Sequence, residues 1–216
     1  MAEHPMAGAR SERQSPRDAA VTLPPGQHVS RRWPVIHVGA VPQIDLGGWR
    51  LEVTGEVRSP VRLTWEDVLG LPSAEIEFDA HCVTRWSRLG MRCRGVHWRE
   101  LARLTRPTPE AKFILAHAHE YSYSANLPIT AVEDDRALIA YEIEGEPLDP
   151  EHGWPLRLLV PDRYFWKSVK WLQRIELLKE DRPGLWEGRG YHNEADPWKS
   201  QRSASGRVEF LHGLSR

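Results

Sequence analysis

The octapeptide His81-Cys82-Val83-Thr84-Arg85-Trp86-Ser87-Arg88 sets one of only two cysteines among cationic and hydroxyl side chains. A thiolate is the reactive and metal-binding form of cysteine, and nearby positive charge favours it by lowering the thiol pKa. The same residue would also serve as a small buried hydrophobe, the commoner fate of a cytosolic cysteine. From Arg85 to Arg106 there are seven arginines and one acid, Glu100. Arginines beside a reactive cysteine suit an anionic ligand such as a phosphate or an oxyanion. Without such a ligand they form a solvated basic face. His81, Cys82, Cys93 and His97 offer four zinc-binding side chains, but not in the close pairs that structural zinc sites use. Adjacent His81 and Cys82 would also point to opposite sides of a strand. No motif fixes a partner histidine for a cysteine hydrolase, and the glycine fingerprints of phosphate and dinucleotide loops are absent.

The elements that must position these residues are short. Trp49 to Val53 and Glu75 to Phe78 alternate apolar and polar residues, which is strand periodicity, so Cys82 should leave the end of a strand. Thr64 followed by Trp65-Glu66-Asp67 reads as a capped helix start, ended by Gly70 and Pro72. Trp98 to Leu104 reads as a second helix, stopped by Pro107. Lys112 to His117, Ala137 to Tyr141, Leu156 to Val160 and Ser168 to Leu172 read as strands, with a turn at Glu144 to Pro147. Many short strands with a few short helices favour an α+β fold over a doubly wound sheet.

Composition bounds the rest. A chain of 216 residues suits one large domain with extended termini, and it can bury a core without disulfides. Residues 1–32 are polar and proline-bearing and are expected to form a flexible N-terminal arm; 33–202 would be the domain and 203–216 a C-terminal tail. A net charge of −1 argues for neither nucleic acid nor a membrane surface, and no apolar run is long enough to insert in a bilayer. Two cysteines and the lack of an apolar leader point to a reducing, cytoplasmic setting. Ten tryptophans suit thick cores or the walls of a cofactor site.

Several motifs, in order, resemble the molybdopterin-binding domain of the sulfite oxidase family. His81 to Arg88 resembles the segment whose cysteine ligates molybdenum. Leu138 to Pro161 (LIAYEIEGEPLDPEHGWPLRLLVP), Phe165 to Leu177 (FWKSVKWLQRIEL) and Pro183 to Arg202 (PGLWEGRGYHNEADPWKSQR) are similar to later family signatures. The last is that of a bacterial branch of sulfite oxidase-like oxidoreductases. The resemblance spans about Pro34 to Arg202 and implies the family's mixed, β-rich fold with short helices.

It also implies roles. Cys82 would be the one protein ligand to molybdenum, with the pterin dithiolene and oxo groups completing the site; a soft thiolate suits that metal. His37, His117, His152, Arg157, Lys167, Ser168, Val169 and Lys170 would hold the molybdenum-molybdopterin cofactor. Arg85 and Arg88 would hold an oxyanion substrate, and Tyr191 would hydrogen-bond or pass a proton at the metal. Where sulfite oxidases supply a substrate-binding arginine, this sequence has Ile36, which sets sulfite itself in doubt. No haem or dimerisation domain is expected beside this one. Electrons would then pass to or from a separate carrier during two-electron oxygen-atom transfer on a small oxyanion, sulfoxide or similar, sulfur-containing substrate. The alternative is a non-catalytic protein that stores or delivers the cofactor.

Overall fold

The computed structural model describes residues 22–119 and 123–206; the rest of the expected arm (1–21) and tail (207–216) lies outside them. Two sheets dominate. β1 (His28–Val29), β4 (Ser73–His81), β5 (Trp86–Val96), β8 (Leu138–Ile143), β9 (Glu146–Pro147) and β10 (Arg157–Leu159) form one. β2 (Leu51–Gly55), β3 (Val61–Leu63), β6 (Phe113–Ala118), β7 (Ser124–Pro128) and β11 (Leu172–Leu178) form the other, in the order β3-β2-β11-β6-β7. Most pairs are antiparallel; β2 with β11 and β1 with β5 run parallel. The helices are α1 (Trp65–Leu69), α2 (Trp98–Thr105) and α3 (Thr130–Glu133). The architecture is the expected α+β, rich in β-structure. No helix among the described residues is long and apolar enough to cross a membrane.

Local chemistry explains the elements that were foreseen. Thr64 Oγ1 accepts from Asp67 N while Asp67 accepts from Thr64 N, a reciprocal cap that starts α1 and holds the Asp67 carboxyl below its usual range. α2 ends one residue past Thr105, at Arg106 in a left-handed conformation, before Pro107 can block it. Glu144 and Gly145, both at positive φ, make the tight turn between β8 and β9.

Two expectations change. Ser168 to Leu172 is not a strand: the ladder begins at Leu172, and the preceding residues fold inward as a loop with Trp171 at φ +53°. Part of the expected flexible arm is tied down, because His28 and Val29 pair with Trp86 and Ser87 of β5.

Two apolar clusters fill the molecule. One, including Leu51, Val53, Leu101, Ile114, Leu158 and Ile175, joins the two sheets and α2. The other lies under the β4–β5 hairpin, built from Phe78, Met91, Leu159, Tyr164, Phe165 and Trp186, and it includes Cys82. Within β5, Met91 and Cys93 point into that cluster while Arg92 and Arg94 face solvent.

Candidate active site

Cys82 sits in the hairpin between β4 and β5. Its N–H donates to Trp86 O (2.9 Å), and its carbonyl accepts from Arg85 N (3.0 Å). This closes a turn that aims the thiol into a cavity. The walls comprise residues 33–38, 82–86, Tyr123, Arg157, 165–171 and 186–191 in part. Counted out into the solvent at its open mouth, the space between these walls is about 860 Å³.

Burial pushes the Cys82 thiol pKa up; the Thr84 hydroxyl, donating to Sγ at 3.1 Å, and the Arg157 charge oppose this. The neighbouring cations that should acidify Cys82 therefore do not prevail. Desolvation outweighs them. The arginine that acts on the sulfur is Arg157, distant in sequence. Arg85 and Arg88 do not line the cavity: Arg85 is exposed beside Gly26, and the Arg88 guanidinium lies 5.8 Å from the centre of the Trp33 ring.

Six of the expected site residues converge on the cavity: His37, Cys82, Arg157, Ser168, Lys170 and Tyr191. Arg157, on β10, is only 2% exposed. Its Nη1 donates to His152 O (2.9 Å), its guanidinium lies 4.1 Å from the Phe165 ring centre, and its buried Nε has no partner. No carboxylate pairs with it among the described residues, and burial pushes its pKa down to about 9. Lys170 donates to Glu151 O (2.6 Å); burial, then repulsion from Arg157, pushes it down to about 7. Ser168 Oγ accepts from Val160 N (3.1 Å), which fixes the loop carrying both. Gly153 holds the facing turn at φ +117°, and a Cβ there would come within 3.1 Å of Lys170 Cα.

The other expected contacts lie elsewhere. His152 backs the wall, its ring stacked on Trp33 at 3.9 Å with Nδ1 3.3 Å from Asp149. Val169 is buried and accepts from Leu158 N through its carbonyl. His117 sits on β6, its Nε2 3.2 Å from Glu176 and away from the cavity lining. Lys167 is fully buried: Nζ pairs with Glu187 (2.6 Å) and donates to Asn126 O and Oδ1 (2.8 and 3.0 Å). Having spent its charge on a carboxylate, Lys167 has none to offer a cofactor. The four candidate zinc residues also disperse. His97 Nδ1 meets Ala137 O, His81 Nδ1 meets Ser87 Oγ, and burial drives the Cys93 thiol up to about 12. Among the described residues no three His, Cys, Asp or Glu side chains gather into a metal site.

The cavity also contains residues that no motif singled out. Tyr123 donates to Trp166 O (2.5 Å) and faces Tyr191, whose ring packs edge-on to Trp166 and tilted against Trp186. Burial raises the pKa of both phenols. Five of the ten tryptophans, Trp33, Trp86, Trp166, Trp171 and Trp186, line the walls; the tryptophan content was the available signal. Trp86 Nε1 is buried without an acceptor, as is Arg157 Nε. A flat, polyanionic cofactor rich in acceptors fits such a chamber: aromatic faces, two orphaned donors, two cations and a soft thiol.

Fold and cavity together define a cofactor-binding domain of mixed, β-rich architecture. Residues 38–186 match the family described as the oxidoreductase molybdopterin binding domain, and the chain belongs to that family. It is a molybdopterin-dependent oxidoreductase, and its cofactor is molybdenum-molybdopterin. It is 44% identical over 186 residues to an uncharacterised oxidoreductase of Bacillus subtilis, YuiH, covering 86% of this chain and 93% of that one. It is 30% identical to the catalytic subunit of the protein-methionine-sulfoxide reductase MsrP of Campylobacter jejuni, over 64% of this chain and 52% of that protein. Human mitochondrial sulfite oxidase is 29% identical over 70% of this chain, which spans a third (33%) of that enzyme. Among solved structures, the sulfane dehydrogenase SoxCD of Paracoccus pantotrophus superposes with a TM-score of 0.61 at 26% identity, over 67% of this chain and 41% of its own.

Proposed function

We propose that this domain catalyses two-electron oxygen-atom transfer on a small, uncharged sulfur compound of the sulfoxide or thioether type, and exchanges electrons with a separate carrier. One observation carries the reading. The buried, acid-free Arg157 and the Cys82 thiol open into the same aromatic cavity, so the polyanionic cofactor and a single soft ligand are provided for together. When bound, the cofactor supplies the redox change and the oxygen exchange; the protein supplies orientation and polarity.

Each residue then has a task. Cys82 ligates molybdenum. Arg157, Lys170, His37 and the Ser168 loop hold the pterin and its phosphate, with His152 keeping Trp33 and Arg157 in place. Tyr191, in the cavity lining, would hydrogen-bond or pass a proton at the reacting oxygen, and Tyr123 fixes the wall beside it. The substrate class follows from what faces the remaining space. Ile36, Val38, Pro34 and Trp186 line it, while Arg85 and Arg88 stay out of the lining. A doubly charged oxyanion would lose its hydration there without gaining a cation; a neutral S=O group would lose much less.

The relatives, a methionine-sulfoxide reductase, a sulfite oxidase and a sulfane dehydrogenase, support redox chemistry at sulfur, and none supports the storage alternative. The test is a steady-state screen of molybdenum-loaded protein with redox dyes, comparing methyl sulfoxides and free or peptide methionine sulfoxide with sulfite. Sulfoxide reduction should dominate, and Cys82→Ser should abolish both turnover and the metal's redox signal. Faster turnover of sulfite would sink the substrate assignment. Bound molybdenum with no turnover of any oxygen donor or acceptor would return the storage reading.

A further inference from the structure

The segment before the matched domain meets the cysteine hairpin at several points. Gln27 Nε2 donates to the carbonyl of Cys82 itself (2.9 Å), and Gln27 Oε1 accepts from Ser87 Oγ (3.4 Å). His28 N donates to Arg85 O (3.0 Å) and Ser30 N to Ser87 O (2.7 Å). From the other end of the chain, Arg202 Nη2 donates to Pro25 O (3.1 Å). Residues 24–30 thus cross the hairpin as a strap, and the family match begins only at residue 38.

Beyond Pro24, which is buried, packing does not account for this strap. β1 buries neither His28 nor Val29, and a two-residue strand adds little on its own. What it holds is a turn that resists being held. Arg85 occupies φ +76°, a left-handed conformation that costs any residue with a Cβ and persists where the surroundings enforce it. The strap grips both ends of that turn, at the Cys82 and Arg85 carbonyls. Gly26, at φ +71°, lets the chain pass under the Arg85 guanidinium, where a Cβ would lie 3.1 Å from Nη1.

We infer that residues 24–30 are a positioning strap for the cofactor-bearing thiol, with Gln27 as its positioning residue. The inference rests on the reading of Cys82 as the molybdenum ligand. Hydrogen bonds one step behind a metal ligand set its direction, and their loss typically weakens metal retention about 10–100-fold.

Two variants of the full-length protein test this. Gln27→Met keeps the side-chain length and removes both polar ends. Ser30→Pro removes one backbone donor and leaves Gln27 in place. Both should melt close to the parent protein. In cofactor-free protein, Cys82 should be alkylated faster than in the parent, with Cys93 unchanged as the internal reference. In loaded protein, molybdenum should dissociate about tenfold faster and the thiolate-to-metal absorption band should shift. Unchanged alkylation and retention in both variants would overturn the inference, as would equal acceleration at Cys82 and Cys93, which signals general loosening. If alkylation of Cys82 accelerates while Cys82→Ser keeps the metal and its spectrum, the strap stands and the ligand reading falls.

Discussion

Lys167 and Lys170 are three residues apart on one loop, and they meet opposite surroundings. Lys167 is sealed against Glu187 and Asn126, behind the wall that Trp166 presents to the cavity. Trp166 Nε1 donates to the same Glu187 carboxylate (2.9 Å), so the pair also anchors that wall. Lys170 shares the cavity with Arg157 and meets a backbone carbonyl and the Trp171 ring, with no ion-paired acid among the described residues. A buried cation already matched by an acid fastens structure; two cations left without one make a receptor for an anion.

That contrast breaks most visibly by substitution. Lys167→Met leaves the buried Glu187 carboxylate without a cation, and should cost about 3–5 kcal/mol of stability, read by denaturant unfolding. Adding Glu187→Met should recover much of this loss. Arg157→Met should do the reverse: stability holds or rises, while cofactor affinity falls on the order of a hundredfold, measured as molybdenum retained per folded chain. If Lys167→Met lost cofactor without losing stability, the two lysines would have been assigned the wrong way round.

Lys170 offers a finer probe, through pH. Its folded pKa, about 7, lies below that of the unfolded chain. Between about 7 and the ordinary lysine range, the unfolded chain therefore binds more protons, and stability of the cofactor-free protein rises with pH. Below that window the full penalty of burying the ammonium is present. A phosphate favours the charged form, so cofactor affinity should fall as pH rises through 7. Thermal melts of parent and Lys170→Met across pH 6–9 check the sign: the variant should lose the upward slope that begins at about pH 7. The smallest effect belongs to Tyr191→Phe, which removes a hydroxyl and keeps the ring packing. Turnover should fall at least tenfold with metal content and melting unchanged.

The sequence disclosed the ends of elements better than their faces. Thr64, Gly70 and the Glu144-Gly145 turn act within a few residues of themselves, so their effects are local and readable. β5 was harder, because its alternation of Met91 and Cys93 with Arg92 and Arg94 also reads as a basic surface. The arginine-rich run divides once folded. Arg92, Arg94 and Arg99 face Glu144, Glu142 and Asp135, pairings no local window contains, while Arg103 pairs within α2 with Glu100. Ser168 to Leu172 has strand periodicity, but that pattern serves a loop with one face in the core and one in the cavity. Lys167 and Lys170 were indistinguishable as letters. Glu187 and Asn126, which separate their roles, arrive from distant parts of the chain.

The cavity draws on residue 33 at one end of the chain and residue 191 at the other, with Arg202 reaching back to the strap. Its construction therefore has an order. A chain still being synthesised owns Cys82 long before it owns Tyr191 or Trp186, and an incomplete chamber has one wall missing. A group that touches all of these walls can be held only by a chain in which residues 33 to 191 have already folded together.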